Sequence, residues 1–444
     1  MAVDDLSTDV KRPGFLPAAM QTFGAQVVVA FLSLGNVMIV SRALGPSGRG
    51  DIAFLTAIAM ISSNLATMGV HEANVNLAGS EPRLRRALAG NSLLMSGVFG
   101  ALAIAAVVAL VLMAPAVAGG VNPWLLALTL ASLPILVLNT YVRALLQGEY
   151  GFSISNATFA FPALLNVGVN GTLALVGHLT VGLAVGTWIA GQTIATGMMV
   201  WYLARRSSGF GRPPVSLVRR TLGFGTKSHI GRVMLLGNYR LDQWILGAIA
   251  GSSQLGVYSV AVALAEALFL LPSSLAAVQR PDLVRVSQAE AVRRSSSVFR
   301  NALLLTAIAG VILIVLAPVI VVGLFGEDFS GATNQLRILV CGAFGIVALK
   351  QLGSTLTARQ KPSLASLAIG CAFVSTVVLD VLLIPHHGGL GAAVASTVSY
   401  TLGGIVVLVI FTRSLGGTRQ ELVPRAGDAR DVWALVRNAV AAGR

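Results

Sequence analysis

Long apolar runs separated by short polar segments restrict the fold of this chain more than any other feature of its sequence. Of its 444 residues, 55% are hydrophobic and only 11% are charged, whereas a soluble protein of this size carries about 25% charged residues. A helix that crosses a bilayer needs about 20 predominantly apolar residues. The sequence therefore predicts an all-α polytopic membrane protein.

Twelve segments satisfy this length requirement, so about 12 transmembrane helices are predicted. Their approximate bounds are 19–43, 51–78, 87–114, 123–147, 153–177, 181–204, 222–249, 255–279, 299–324, 332–357, 363–384 and 390–413. The two cysteines, Cys341 and Cys371, lie inside such apolar runs. We therefore expect neither a disulfide framework nor a metal site, and no cofactor.

Basic residues are concentrated in alternate connections between these segments. Arginine and lysine are frequent after the second, sixth, eighth, tenth and twelfth helices, whereas PAVAGGVNP, GHLTV, AGSSQLG, FGEDFSG and PHHGG contain none. By the positive-inside rule, the N- and C-termini are both cytoplasmic. The same rule explains the formal net charge of +14, so no nucleic-acid partner is expected.

The predicted organisation consists of two six-helix bundles. A cytoplasmic N-terminus (1–18) precedes the first bundle (19–204), a basic cytoplasmic linker (205–221) leads to the second (222–413), and a cytoplasmic tail (414–444) follows. The first helix is expected to be retained rather than cleaved as a signal peptide.

Two short matches relate the two halves. GPSGRGDIA (45–53) corresponds to GSSQLGVYS (251–259) at an offset of 206, and HLTVGLA (178–184) corresponds to HGGLGAA (387–393) at an offset of 209. A duplicated six-helix unit would produce both matches and would relate the halves by an axis along the membrane normal. A chance match between glycine-rich loops is the alternative.

The stretch 232–258 is apolar enough to span a membrane, yet it carries a polar helix face. Arg232, Tyr239 and Gln243 lie within about 40° of each other on a helix, and Arg240 and Asp242 flank them at about 80° on either side. Ionisable groups at membrane depth cost about 2.5–3.5 kcal/mol each, so they face a cavity or a partner. A buried ion pair between Arg240 and Asp242 is the structural alternative.

The second predicted helix carries another polar stripe. Asn64, Thr67, His71 and Asn74 fall within an arc of about 80°, and Glu72 lies near the cytoplasmic end of the same helix. The stripe is either a cavity wall that binds sugar or water, or a set of hydrogen bonds between packed helices.

Further charged groups at membrane depth extend the set of candidates. The cations are Arg42, Arg49, Arg143 and Lys350. Arg49 receives the least weight, because it can equally be a solvated loop residue. Glu266 is interpreted as a counter-charge for Arg232 or Arg240, or as a proton or cation coupling site, and Asp242 and Glu72 share that interpretation. Asp380 is expected to have a structural role.

Four stretches together resemble a known family. SRALGPSGRGDIAFL (41–55), RALLQGEYGF (143–152), RLDQWILGAIAGSSQLGVYSVAVALAE (240–266) and HGGLGAAVAST (387–397) are similar to the oligosaccharide/polysaccharide (O-antigen-type) flippases of the multidrug/oligosaccharidyl-lipid/polysaccharide exporter superfamily. The resemblance covers residues 20–413 and rests on the order and spacing of the motifs.

The resemblance implies two six-helix bundles around a central cationic cavity, formed largely by the first, second, seventh and eighth helices. It implies alternating access that moves a polyprenyl-pyrophosphate-linked glycan across the cytoplasmic (inner) membrane. A monomer is expected, with membrane lipids and glycan polymerase or ligase machinery as partners. Arginine suits this cargo because its planar fork binds phosphate bidentately. Arg232 and Arg240 are the predicted pyrophosphate ligands, supported by the other cations and by the polar stripe.

Three alternative functions are weaker on the sequence. A multidrug or organic-cation antiporter needs carboxylates among aromatic residues, and aromatic residues make up only 6% of this chain. A lipid II flippase of the same superfamily usually has two further helices. A membrane enzyme needs a large outer loop with catalytic groups, and no phosphate-binding loop, metal cluster or nucleophile motif is present in the sequence.

Overall fold

The computed structural model describes residues 15–149, 151–206, 209–425 and 427–428, and this part of the chain is helical without β-strands. Short turns join twelve α-helices, which are α1 Phe15–Ala66, α2 Val70–Ser80, α3 Arg85–Met113, α4 Pro123–Ala131, α5 Leu133–Gly148, α6 Phe152–Leu175, α7 Val181–Arg206, α8 Val215–Arg285, α9 Gln288–Phe325, α10 Ala332–Ala358, α11 Pro362–Leu415 and α12 Arg419–Leu422. The prediction of an all-α chain is confirmed.

Nine helical stretches in the described residues are long and apolar enough to cross a membrane, so the chain is a multi-pass membrane protein. Three of the helices are much longer than one crossing requires: α1 has 52 residues, α8 has 71 and α11 has 54. Each contains one non-helical glycine: Gly45 in α1 (φ 67°), Gly251 in α8 (φ 82°) and Gly388 in α11 (φ 53°). Each long helix is therefore two segments that meet at a glycine.

The segments of α8 fold back on each other at Gly251. Arg240 precedes this glycine and Glu266 follows it, yet their side chains are hydrogen-bonded. The reversal requires a positive φ, which glycine adopts without the steric cost that a Cβ atom imposes. The two matched glycines of the sequence repeat, Gly45 and Gly251, thus have the same conformation, with ψ −174° and 172° respectively.

The two glycine turns contact each other reciprocally. A Cβ atom on Gly50 would lie 1.7 Å from the carbonyl oxygen of Ser252, and one on Gly256 would lie 1.8 Å from the carbonyl oxygen of Pro46. Pro46 and Ser252 are equivalent in the repeat, as are Gly50 and Gly256, because the offset is 206 in both cases. The contact is therefore pseudo-two-fold symmetric. It closes one end of the space between the two halves, which we call the turn end.

Apolar packing follows the same division. The largest buried cluster lies toward the turn end and mixes both halves, with Phe54 and Leu55 from the second segment of α1 packed among residues such as Leu255, Tyr258 and Phe325. Away from the turn end, one cluster joins α2, α3, α5 and α7 to the start of α8, and another joins α9, α10 and α11 to α12. The halves therefore also contact each other at the opposite end, through the first part of α8.

Two predicted helices are interrupted in the structure. The helix predicted over 51–78 ends at Ala66 and resumes as α2 at Val70. The break at Gly69 (φ 70°) lets its backbone approach that of Gly225, where a Cβ atom would come within 2.1 Å of the carbonyl oxygen. The helix predicted over 123–147 is divided between α4 and α5, next to Pro134, whose missing N–H removes a helical hydrogen bond.

The reciprocal glycine contact generates a stability prediction. Gly50→Ala and Gly256→Ala should each lower the apparent unfolding temperature in detergent, because overpacking against fixed backbone costs about 1–3 kcal/mol. Gly35→Ala is the matched control, since nothing lies within 4 Å of a Cβ atom built there. Unfolding temperatures for Gly50→Ala and Gly256→Ala equal to that of the control would contradict the contact.

Candidate functional site

A cavity of about 650 Å³ lies between the two halves, beyond the glycine turns. Both segments of α1, both segments of α8 and the helix α10 contribute to its wall. Its described charged lining residues are the cations Arg49, Arg240 and Lys350 and the carboxylate Glu266. The wall therefore carries an excess of positive charge.

Each contributing segment presents one face to the cavity. The second segment of α8 contributes Ser259, Val262, Ala263, Glu266, Phe269, Leu270 and Ser273, and the second segment of α1 contributes Arg49, Ala53, Thr56, Ala57 and Met60. Steps of three and four residues keep side chains on one face of an α-helix. These two stripes therefore bring hydroxyl groups and charges into an otherwise apolar wall.

Arg240 and Glu266 form a bidentate ion pair at the cavity wall. Arg240 Nη1 donates to Glu266 Oε1 at 2.6 Å, and Nη2 donates to Oε2 at 3.2 Å. Nη1 also donates to the carbonyl oxygen of Tyr239 at 2.9 Å. Both side chains keep some exposure, 22% and 31%. The sequence offered both Asp242 and Glu266 as partners of Arg240, and the structure pairs it with Glu266.

Arg49 is the cavity cation to which the sequence gave the least weight. It follows the Gly45 turn closely and already belongs to the second segment of α1, which directs its side chain into the cavity. Within the described chain it forms neither an ion pair nor a hydrogen bond, and its Nε atom is buried without a partner. The periodicity of Arg49, Ala53, Thr56 and Met60 was the sequence signal for this position.

Lys350 reaches the cavity from α10. Its Nζ atom donates to Ser273 Oγ at 2.5 Å. The same atom lies 5.8 Å from the ring centroid of Tyr239 and 5.9 Å from that of Phe269. Cation–π attraction at such distances stabilises the ammonium group against an aromatic face. Among the described residues Lys350 forms no ion-pair contact, although Glu266 is close enough to interact with it electrostatically.

The cations are arranged in a row away from the turn end. With a rise of about 1.5 Å per residue, Arg49 lies about 6 Å along its helix from Gly45. By the same measure, Arg240 lies about 16 Å and Ser273, the partner of Lys350, about 33 Å from Gly251. The three cations therefore lie at three different depths of the cavity.

Tyr239 and Gln243 also line the cavity, whereas Asp242 lies outside it. Asp242 is buried; Tyr258 Oη donates to its Oδ2 at 2.5 Å, and Ser396 Oγ donates to the same oxygen at 3.3 Å. Asp380, on α11, is completely buried, and neither of its carboxylate oxygens has a hydrogen-bond partner in the described chain. The sequence gave no signal for Asp380 beyond an acidic residue in an apolar run.

Three predicted cations lie away from this cavity. Arg42 donates to the carbonyl oxygens of Gly323 and Leu324, near the C-terminus of α9, where a cation is favoured by the helix dipole. Arg143 donates to the carbonyl oxygen of Ser155 at 2.7 Å and to Asn139 Oδ1 at 3.3 Å. Arg232 Nη1 lies 3.5 Å from Glu72 Oε1. All three stabilise contacts between helices.

The polar stripe predicted on the second helix also lies outside the cavity. Asn74 Nδ2 donates to Ser92 Oγ at 2.9 Å and to the carbonyl oxygen of Tyr141 at 3.3 Å. Asn64 Nδ2 donates to the carbonyl oxygen of Met60 at 2.9 Å. His71 is buried, with Nε2 at 3.3 Å from Glu72 Oε1. In this conformation the two asparagines bond to helices rather than to an open space, and the buried ring nitrogens of His71 have no hydrogen-bond partner among the described residues.

Comparison with known proteins places this site in a family context. A family model described as polysaccharide biosynthesis protein matches residues 39–334. The probable flippase AglR of Haloferax volcanii is 28% identical over 192 residues, which are 41% of this chain and 39% of that protein. The chain thus spans about two fifths of the length of this curated relative.

Solved structures show the same fold over nearly the whole chain. The lipid II flippase MurJ in an inward closed conformation has a TM-score of 0.72 at 14% identity, covering 92% of this chain and 89% of MurJ. An inward-facing multidrug resistance MATE family transporter of the MOP superfamily has a TM-score of 0.70 at 13% identity, covering 90% and 98%. These structures share the fold of this chain, and the match of the family model to more than half of the sequence shows that the chain belongs to the polysaccharide biosynthesis protein family.

Proposed function

We propose that this protein is a flippase that moves a polyprenyl-pyrophosphate-linked oligosaccharide from the inner to the outer leaflet of the cytoplasmic membrane, for surface polysaccharide biosynthesis. The observation that carries the proposal is a cavity between two helical halves with three cations and one acid in its described wall. Membership of a polysaccharide biosynthesis family and the similarity to a probable flippase support it. No covalent chemistry is required of such a protein.

The proposed topology has twelve spans with both termini in the cytoplasm. Three of the nine apolar stretches, in α1, α8 and α11, contain a glycine bend and count as two spans each, which gives twelve spans. The bundles are 19–204 and 222–413, joined by the basic linker 205–221. The distribution of arginine and lysine supports this orientation. We propose that the protein acts as a monomer, and that a glycan polymerase or ligase consumes the flipped product.

The cavity suits an anionic, hydrophilic headgroup. Guanidinium groups bind phosphate oxygens through two parallel hydrogen bonds, and the low polarity of the surrounding helices strengthens each charge interaction. Gln243, Thr56 and Ser259 add hydrogen-bonding groups to the same wall. In alternating access, the contact at the turn end separates while the halves stay in contact at the opposite end, where Gly69 lies against Gly225, which releases the headgroup on the turn-end side.

Transport of cationic drugs by the same fold is the competing proposal. A cationic cargo needs an accessible carboxylate, and the one acid among the described lining residues, Glu266, is held bidentately by Arg240. Three cations would repel such a cargo. Lipid II is a second competitor because MurJ has this fold. Lipid II carries the same pyrophosphate, so chemical identification of the accumulated lipid separates the two flippase functions.

Depletion followed by complementation tests the proposal. Cells depleted of this protein should accumulate a polyprenyl-pyrophosphate glycan on the cytoplasmic side, and the wild-type gene should restore export. The double variant Arg49→Gln, Arg240→Gln should reduce export by at least about tenfold, since close charge pairs at interfaces couple by more than about 1.4 kcal/mol. Mass spectrometry of extracted lipids measures the accumulation.

Arg294→Gln is the matched control, because Arg294 lies outside the cavity and pairs with Glu290 four residues earlier. It should export normally at equal expression. Full export by the double variant would eliminate the cavity cations as ligands. Unchanged lipid intermediates in depleted cells, together with new drug sensitivity, would favour the antiporter. Accumulation of lipid II itself would establish the lipid II flippase.

We further propose that Asp242 and Asp380 couple transport to an ion. Of the acids proposed for this role from the sequence, Glu266 and Glu72 are paired with arginines, which leaves Asp242. Thr376 Oγ1 donates to Asn238 Oδ1 at 2.9 Å, joining α11 to α8. Asp380 follows Thr376 by four residues on α11, and Asp242 follows Asn238 by four residues on α8. The two carboxyl groups therefore lie on facing sides of these helices. Two buried carboxylates require a shared proton or a bound cation.

Removing one acid should uncouple transport from its ion. Asp380→Asn should abolish the dependence of export on the proton or sodium gradient, because Asp242 then has no second carboxylate with which to share a proton or a bound cation. Export should be measured in membrane vesicles with imposed gradients. Asp328→Asn, at an exposed acid, is the control. An unchanged gradient dependence in Asp380→Asn would exclude this pair as the coupling site.

A further inference from the structure

The guanidinium nitrogens with which Arg240 would bind a phosphate already donate to a carboxylate in this structure. Two of its nitrogen atoms donate to the two oxygens of Glu266, at 2.6 and 3.2 Å. This is the same pair of hydrogen bonds that a phosphate group would accept from a guanidinium. Arg240 therefore cannot hold a phosphate bidentately until Glu266 moves away.

The other two cavity cations are not blocked by a carboxylate. Arg49 has no ion pair or hydrogen bond with any described residue, and Lys350 is hydrogen-bonded to the hydroxyl of Ser273. One lies on the turn-end side of the Arg240–Glu266 pair and the other lies on the opposite side. The central cation is thus neutralised while the cations on both sides remain available.

We propose that Glu266 is an internal substitute for the phosphate of the cargo: it holds Arg240 in the empty protein and is displaced when a diphosphate enters. This inference rests on the proposed function and adds a selectivity device to it. The exchange leaves Arg240 paired with an anion before and after binding. An unpaired Arg240 would otherwise carry the cost of a charge inside the membrane.

The displaced carboxylate has a place to go. Glu266 lines the cavity with its side chain partly exposed, so water can solvate it. It also interacts electrostatically with Lys350 on the side away from the turn end. A diphosphate can therefore bridge Arg240 and Arg49 while Glu266 turns toward Lys350.

The exchange selects for a headgroup with more than one negative charge. A neutral lipid gains nothing from Arg240 because Glu266 already satisfies it. A single phosphate replaces one anion by another, whereas a diphosphate engages Arg240 and Arg49 together. The competing carboxylate also limits affinity, which favours release at the end of the cycle, since transport requires binding that is not too strong.

Pyrophosphate binding to the purified protein in lipid nanodiscs tests this competition. The probes are inorganic pyrophosphate and polyprenyl pyrophosphate, measured by calorimetry on the wild type, Glu266→Gln, Arg240→Gln and the double variant. Glu266→Gln should bind at least about tenfold more tightly, because it removes the competitor from Arg240. In the Arg240→Gln background the same change should have little effect, as a double-mutant cycle requires for a direct interaction.

Controls separate this mechanism from a general change in charge. Glu290→Gln removes a carboxylate that pairs with Arg293 and Arg294 outside the cavity, and it should leave affinity unchanged. Glu266→Asp retains the charge on a shorter side chain and should fall between wild type and Glu266→Gln. If Glu266→Gln proves unstable, the affinity of Glu266→Asp relative to wild type decides the question.

The outcomes distinguish the inference from the proposed function. Tighter binding that depends on Arg240, with slower export by Glu266→Gln in cells, supports the exchange. Wild-type binding of pyrophosphate with equal or weaker binding by Glu266→Gln overturns the exchange and leaves the flippase proposal intact. If Glu266→Gln tightens pyrophosphate binding equally in the Arg240→Gln background, the exchange is also overturned, since Glu266 would then act only through its charge. Failure of the wild type to bind either probe overturns both.

Discussion

The cost of placing a charge inside a membrane governs the arrangement of this protein's polar groups. Arg42 and Arg143 bond to backbone carbonyl oxygens, and Arg232 lies beside Glu72. These cations are used to join helices. In the cavity between the halves, by contrast, the described lining carries three cations and one acid. A charged wall of this kind is stable because water, or a ligand of opposite charge, fills the cavity.

The glycine turns determine where that cavity closes. The backbone of Ser252 packs against Gly50, and the backbone of Pro46 packs against Gly256, at distances that a methyl group on either glycine would prevent. Because the contact is reciprocal, the halves meet as pseudo-symmetric surfaces and share an apolar core at the turn end. At the opposite end, the first part of α8 packs on the first half, and Gly225 lies against Gly69.

The fold could be predicted from the sequence to a large extent, because membrane spans follow from the length of apolar runs and from little else. The glycine turns were also detectable, since GPSGRG and GSSQLG recur at a fixed offset. The site was only partly predictable. Tyr239, Arg240 and Gln243 were placed on one helix by periodicity and do line the cavity. The sequence could not choose between Asp242 and Glu266 as the partner of Arg240, because Glu266 lies across a chain reversal whose register the sequence does not encode.

Other assignments depended on distances that no sequence pattern contains. Arg49 lies in a glycine-rich motif that resembles a loop, whereas it belongs to a helix that starts directly after Gly45. Asp242 lies two residues from Arg240 but points toward Tyr258 and Ser396 rather than into the cavity. Asn74 had two equally good interpretations until its acceptors on two other helices were known. Helix rotation and packing partners decide such cases, and both are tertiary properties.

A structure determined with a bound polyprenyl-pyrophosphate oligosaccharide tests the central claim most directly. The account predicts the two phosphates within hydrogen-bonding distance of Arg240 and Arg49, with the carboxylate of Glu266 no longer on Arg240. The glycan should occupy the space lined by Gln243, Thr56 and Ser259. A headgroup bound elsewhere, for instance near Arg143 or Arg232, with the Arg240–Glu266 pair intact, would contradict the account.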